Sequence, residues 1–162
     1  MATPTTLPAS FTAGQVLTAA QMNDLRGAFR ILQVIEGTTS TQVVTTSTSY
    51  VTTNLTASIT PSATSSKVLI LVNSPSGKDS TTNGINTALF RGTVAGTNLA
   101  ESLLYAGANS TYMMSTFSFL DSPNIISATA YTLGIKSGSA STSIYANADN
   151  KRSSIILMEI SA

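Results

Sequence analysis

The sequence predicts an all-β protein, a jelly-roll-like β-sandwich of about eight to ten strands preceded by an extended arm and one short α-helix. Three observations carry that prediction. The chain changes character near residue 37, from a Pro/Thr segment with one amphipathic stretch to short runs in which apolar and hydroxyl residues alternate. Ser and Thr make up about a third of the 162 residues, while charged residues are only 9% against a usual value of about 25%. Turn signals recur among the short strand-like runs beyond residue 60, with little helical periodicity between them.

A chain of this length can bury one sizeable core, so residues 1–36 read as an attachment segment and residues 37–162 as a single β-sandwich domain. With so few charges, the Ser and Thr hydroxyls are expected to carry solubility. Thr is also β-branched and suits a pleated, half-exposed surface. A hydrophobic content of 42% and a mean hydropathy of +0.22 oppose disorder.

The arm comes first. Residues 1–16 carry Pro4, Pro8 and Gly14 among Thr and Ala, a composition that resists helix. Leu17 to Leu25 then reads as a helix start: Thr18 caps with its hydroxyl, Gln21 reaches back in a capping box, and Leu17 with Met22 forms a hydrophobic staple. Met22, Leu25 and Phe29 make one apolar stripe, with Gly27 weakening or ending the helix. A helix this short is marginal alone. Its stripe packs either on the chain's own sandwich or on another subunit or larger assembly. Arg26 and Arg30 share one helix face without an acidic partner and are either solvated or a docking contact. The candidate attachment residues are therefore Phe11, Leu17, Met22, Leu25, Arg26, Phe29 and Arg30.

From Ile31 the period changes to two. Strands are expected at Ile31–Glu36 and Thr41–Thr46; at Leu55–Ile59, where Leu55, Ala57 and Ile59 alternate with hydroxyls; and at the continuous apolar run Lys67–Val72. Further strands are expected at Asn86–Arg91, Tyr112–Leu120, Ala130–Ile135, Thr142–Asn147 and Ser154–Ile160. Turns are expected at Thr60–Ser62, Ser74–Gly77, Asn83–Gly84, Asp121–Asn124, Gly138–Ser139 and Asn147–Asn150. The last strand pins the C-terminus in the sheet, and no fixed-period repeat argues for a propeller or solenoid.

Several function classes are set aside on the same evidence. A net charge of +1 from scattered cations gives no footprint for nucleic acid. Met1 to Pro8 lacks a basic region followed by an apolar one, so no ordinary secretory signal is expected, and no apolar run is long enough to span a membrane as a helix. The chain has no histidine and no cysteine, which removes the commonest general base, the usual nucleophile pairings and the zinc sites built on those ligands. Carboxylates remain: Asp24, Glu36, Asp79, Glu101, Asp121, Asp149 and Glu159. A glycosidase would need two of them facing a cleft, with Asp79 opposite Asp121 or Asp149 as the candidates; turn-forming Asp and solvated Glu is the expected reading. Asp79 to Gly84 resembles the first half of a calcium loop, but Phe90 stands where the bidentate Glu belongs. Asn54-Leu55-Thr56 and Asn109-Ser110-Thr111 fit a glycosylation pattern that arises by chance in such a chain. The five tyrosines are expected mainly in core and interface packing. No catalytic residue, cofactor or metal site is expected.

The run Phe11-Thr12-Ala13-Gly14-Gln15-Val16-Leu17-Thr18-Ala19-Ala20-Gln21-Met22-Asn23 resembles the leader of tailed-bacteriophage virion proteins, in which an AGxxLTAAxMN stretch precedes a β-rich exterior domain. Thr60 to Ile70 and Phe119 to Pro123 look like sandwich segments of the same kind of protein. The resemblance implies an exterior virion structural protein, assembled in the host cytoplasm and anchored by its N-terminal segment. It also implies a homotrimer whose partners are other virion proteins, either the major capsid protein or tail and baseplate proteins. Capsid decoration (cement) is the leading expectation, with a short tail fibre or receptor-binding knob as the alternative. A carbohydrate-binding module that takes a host surface glycan is the alternative outside that class.

Overall fold

In a computed structural model the described residues are 31–79, 83–105, 107 and 111–161, with Gly14, Val16, Thr18 and Ala19 from the preceding segment. Ten strands follow one another: β1 (Ile31–Thr39), β2 (Val43–Thr45), β3 (Val51–Ile59), β4 (Lys67–Lys78), β5 (Ile85–Arg91), β6 (Thr97–Leu104), β7 (Thr111–Asp121), β8 (Thr129–Ser137), β9 (Ile144–Ala146) and β10 (Ser153–Ile160). They form two antiparallel sheets packed face to face. The first sheet has the order β1-β10-β4-β9-β2 with β7 on the other edge of β4, and the second has the order β3-β8-β5-β6.

The register reduces ten strands to eight. β1 and β2 pair with β10 and β9 in the same antiparallel sense, so each couple is one long strand interrupted midway. Counted so, the first strand pairs with the eighth, the second with the seventh, the third with the sixth and the fourth with the fifth. This is the pairing scheme of a jelly roll, and it gives the sandwich expected from the sequence.

Side-chain alternation places the core between the sheets. Leu55, Ala57 and Ile59 on β3 point inward against Val68, Ile70 and Val72 on β4, while Thr56 and Ser58 face out. Tyr131, Leu133 and Leu157 complete this cluster, and Ile85, Ile135, Ile144 and Ala146 form a smaller one. Gly37 marks the change of character in the sequence for a steric reason. A Cβ there would lie 2.2 Å from the Thr56 carbonyl oxygen and 3.0 Å from the Ile155 Cγ2, so only glycine lets β1 come this close to the opposite sheet.

The interruption in the long strands is held by Asn147. It is fully buried, in the left-handed region at φ 53°, where a short polar side chain is tolerated. Its Nδ2 donates to the carbonyls of Thr41 at 2.7 Å and Thr53 at 2.9 Å, and its Oδ1 accepts from the Ser153 hydroxyl at 2.5 Å. Ser153 also donates to Ser74 at 3.0 Å, and Ser76 bonds Ser115 at 3.0 Å. Part of the hydroxyl content therefore fills a buried layer, in addition to the surface role expected for it.

Four features differ from expectation. Ser74 to Gly77 is strand, not turn: Pro75 falls where β4 passes from β10, last paired at Asn73–Ser154, to β9, first paired at Ser76–Ala146, a place where a missing N–H is tolerated. β6 was not signalled by the sequence, because its apolar residues Leu99, Ala100, Leu103 and Leu104 have helix-like spacing and a register shift opposite Leu89–Phe90 breaks alternation. Asp121 closes β7 rather than opening a turn. Residues 31–36, grouped by sequence with the attachment segment, pair with β10. Of the expected short helix only the cap residue Thr18 and Ala19 are among the described residues, and the rest lies outside them.

Candidate functional site

The two ends of the sandwich carry different groups. Ile31 pairs with Ile160, so the segment before β1 leaves at the end that also holds the C-terminal strand's last residues and the connections 60–66, 92–96 and 122–128. We call this end the base. The strand ends that flank 46–50, 79–84, 105–110 and 138–143 all lie at the opposite end, the crown. Phe11, Leu17, Met22, Leu25, Arg26, Phe29 and Arg30 lie outside the described residues; Ile31, which follows them, is at the base.

The start of β1 is fastened by a buried carboxylate. Glu159 points inward beside Val68 and is completely buried, contrary to the solvated role expected of it. Its Oε2 accepts from the Gln33 side-chain amide at 2.6 Å, and its Oε1 accepts from the Ser62 backbone N–H at 2.7 Å and the Ser62 hydroxyl at 2.6 Å. Gln33 also donates to the Thr60 carbonyl at 2.7 Å. Burial alone would raise the Glu159 pKa, but hydrogen bonds from Gln33, Ser62 and Ser66 outweigh it and hold the carboxyl at about 2. The third residue of β1 is thereby tied to the C-terminal strand and to the connection 60–66.

A second network ties the two sheets together at the base. Arg91 on β5 is ion-paired with Asp121 on β7, its Nε donating at 2.7 Å, and the Tyr131 hydroxyl on β8 donates to the same carboxylate at 2.7 Å. Burial, then the Asp121 carboxylate, push the Tyr131 phenol well above its ordinary range. Asp121 is buried, so it too departs from the expected exposed turn residue.

These placements set Asp79 and Asp121, one candidate glycosidase pair, far apart. Asp121 is beside Val68 at the base and Asp79 follows Lys78 at the far end of β4, about 35 Å away at roughly 3.3 Å per residue, far beyond the roughly 5–10 Å of a glycosidase pair. Asp149 sits in the turn between β9 and β10, its backbone N–H donating to Gln42. Glu159 and Asp121 do flank Val68, about 10 Å apart across two strand spacings, but both are buried and engaged by donors rather than turned to a cleft. Among the described residues, no group of three carboxylate, imidazole or thiol side chains could hold a metal ion. No described helix is long and apolar enough to cross a membrane.

At the crown the side chains fasten loops. The Tyr145 hydroxyl donates to Asp79, the Asn83 amide donates to the Thr142 hydroxyl at 2.6 Å, and the Lys78 ammonium donates to the Asn83 carbonyl and stands 4.9 Å from the Tyr105 ring centroid. The oxygens at both described ends of the calcium-loop-like run are thus already engaged. Of the other tyrosines, Tyr50 meets Phe90 edge-on at 5.2 Å beneath the Lys136 ammonium, while Tyr105 and Tyr112 are exposed. Burial and the neighbouring Glu101 carboxylate push the Tyr50 phenol up to about 12.

The sequence matches no protein-family profile. It matches no curated protein either. Among solved structures, it is similar to a mutant VP2 protein of infectious bursal disease virus from derived T=1 particles, at 12% identity and a TM-score of 0.46 over 78% of this chain and 36% of that one. A VP2 subviral particle of the same virus gives 10% identity and a TM-score of 0.43, covering 81% and 38% of the two chains. The Gx strain structure gives 12%, 0.45, 80% and 37% for the same measures. The chain spans little more than a third of the length of these proteins.

Proposed function

We propose that this chain is an exterior structural protein of a bacteriophage virion, a capsid decoration protein held to the particle by residues 1–30 and assembled as a homotrimer. The observation that carries the reading is the polarity of the sandwich. The leader-like segment leaves at the base, and the opposite end presents four loop connections. A jelly roll by itself hosts capsid, lectin and enzyme domains alike, so the choice rests on this polarity together with the leader resemblance. The buried networks of Glu159 and Asp121 suit such a role, because the first ties the strand next to the segment to β10 and the connection 60–66, and the second joins the two sheets.

The test is reconstitution. Protein lacking residues 1–16, and the Leu25→Asp variant, are added to particles that lack the protein, and occupancy is measured. Both should fold and bind at least tenfold more weakly than the full chain. Equal occupancy would move attachment to the sandwich and refute the reading. A short tail fibre or receptor-binding knob is the second reading, favoured by Tyr105, which is 59% exposed at the crown. Hundreds of copies per virion support decoration, and a few to a few dozen support the fibre.

A further inference from the structure

The outer face of the first sheet is unlike that of β3 on the second. On β3, the edge of the second sheet, Thr52, Asn54, Thr56 and Ser58 all face out, a wet surface with no apolar member. The first sheet shows the reverse. Near the base, one register row runs Val34–Met158–Leu69–Leu120, an apolar side chain from each of four adjacent strands. Beside it Ile156 and Leu71 are neighbours, flanked by Glu36 and Ser118. Near the crown, Pro75 adjoins Met114, and a further row runs Val44–Tyr145–Gly77–Tyr112. Only the row between, Thr38–Ser154–Asn73–Thr116, is wholly polar. Val34 is 55% exposed, Leu120 49%, Met114 54% and Tyr112 57%. Scattered exposed apolar residues need no explanation, but contiguous rows of them mark an interaction surface.

We propose that this face is where copies of the chain pack on one another, each turning its first sheet toward a common axis and the hydroxyl-lined β3 edge of its second sheet toward solvent. The inference rests on the homo-oligomeric part of the function proposed above and supplies its surface. Size decides the occupant. A strand of 12 residues is about 40 Å long, and four strands side by side span about 15–20 Å, so the face offers about 700 Å². That is close to the roughly 800 Å² per partner of a standard stable interface. Charge agrees. Glu36, the acidic group beside the apolar rows, is already paired with Arg152 at 2.8 Å, so no uncompensated carboxylate opposes a second copy there.

The experiment uses the full chain. Light scattering at about 50 μM compares the unaltered protein, the Val34→Asp/Leu120→Asp variant and a control, Thr52→Asp/Ser58→Asp, on the opposite sheet. The expected result is a trimer for the unaltered protein and the control, and a threefold fall in mass for the first variant. Because the chain has no native cysteine, the Leu120→Cys variant gives an independent readout that leaves the face apolar: its thiol should react with a maleimide at least tenfold more slowly in the assembled protein than after dilution to monomer. A stable monomer with a fast-reacting thiol overturns both this surface and the homotrimer reading. A trimer that survives Val34→Asp/Leu120→Asp, with the thiol still reacting fast, overturns this surface alone. Protection that arises only when particles are added assigns the face to another virion protein and also overturns the proposal.

Discussion

Glu159→Gln should destabilise the protein near neutral pH and abolish most of one acid-dependent phase. In the folded chain the carboxylate accepts hydrogen bonds from the Gln33 amide, the Ser62 N–H and the Ser62 hydroxyl. A glutamine there keeps at most one acceptor. If its oxygen faces Ser62, its NH2 faces the Gln33 NH2 and two donors meet without an acceptor. The folded pKa of about 2 lies below the ordinary value of 4.5. A depressed carboxylate pKa stabilises the fold above the unfolded value and loses that contribution as pH falls through the folded one. At about 1.4 kcal/mol per pH unit, the difference is on the order of 3 kcal/mol at pH 7, nearly all of it gone by pH 2.

Urea unfolding of both proteins at intervals from pH 7 to pH 2 measures the effect. Other carboxylates titrate in the same window, so the informative quantity is the difference between unaltered and variant stabilities. It should be on the order of 3 kcal/mol at pH 7 and shrink by most of that amount between pH 4.5 and pH 2. A difference that stays constant across the range would show that Glu159 contributes by packing alone and would refute the ionised, hydrogen-bonded account of the base.

Two further substitutions test the packing. Asn147→Ala removes the donor to Thr41 and Thr53 and the acceptor for Ser153, leaving buried groups unpaired at a left-handed position; thermal and urea unfolding should show a loss of about 3–5 kcal/mol, and Asn147→Gly should recover only the backbone part. Gly37→Ala places a methyl 2.2 Å from the Thr56 carbonyl oxygen; separating the sheets to admit it should cost about 1–3 kcal/mol, whereas Gly107→Ala, with nothing within 4 Å of the new methyl, should cost far less.

How far the sequence was legible depends on which signal each element carries. β3 was readable because alternation survives intact on a half-wet strand, β8 because Tyr131, Leu133 and Ile135 alternate with small or polar residues although both its faces are covered, and the apolar run of β4 because both its neighbours lie within the sheet. The second half of β4 was not readable, since Pro75 and Gly77 signal a turn locally and only the hand-over from β10 to β9 makes a strand tolerable there. β6 was hidden by its bulge. The networks at the base illustrate a different limit. Glu159 and Asp121 look like any surface acid in one dimension, because what buries them is register: each lands beside Val68 from opposite sides. Low overall charge was the available hint, since a chain with seven carboxylates can hold two in buried networks only by giving each its own donors. The difference between the two outer faces was likewise written in the chain, but it becomes visible only once strands distant in sequence are set side by side.

The distribution of bonds along the sandwich follows the polarity proposed for its function. At the base, charged and amide groups join β1, β10 and the connection 60–66, while Arg91, Asp121 and Tyr131 join both sheets. Midway, the interlocking is made by hydroxyls and one asparagine. At the crown, side chains bond mainly within and between neighbouring connections. The charge-assisted bonds at the base join whole strands, whereas those of Lys78 and Asp79 at the crown fasten connections, so resistance to local opening should fall from base to crown. A protein held by a segment that leaves at Ile31 transmits any pull on its anchor into β1. On the proposed attachment, the Glu159 network stands where that load enters, and sequence change should be best tolerated at the opposite end, among the loops that face away from the proposed anchor.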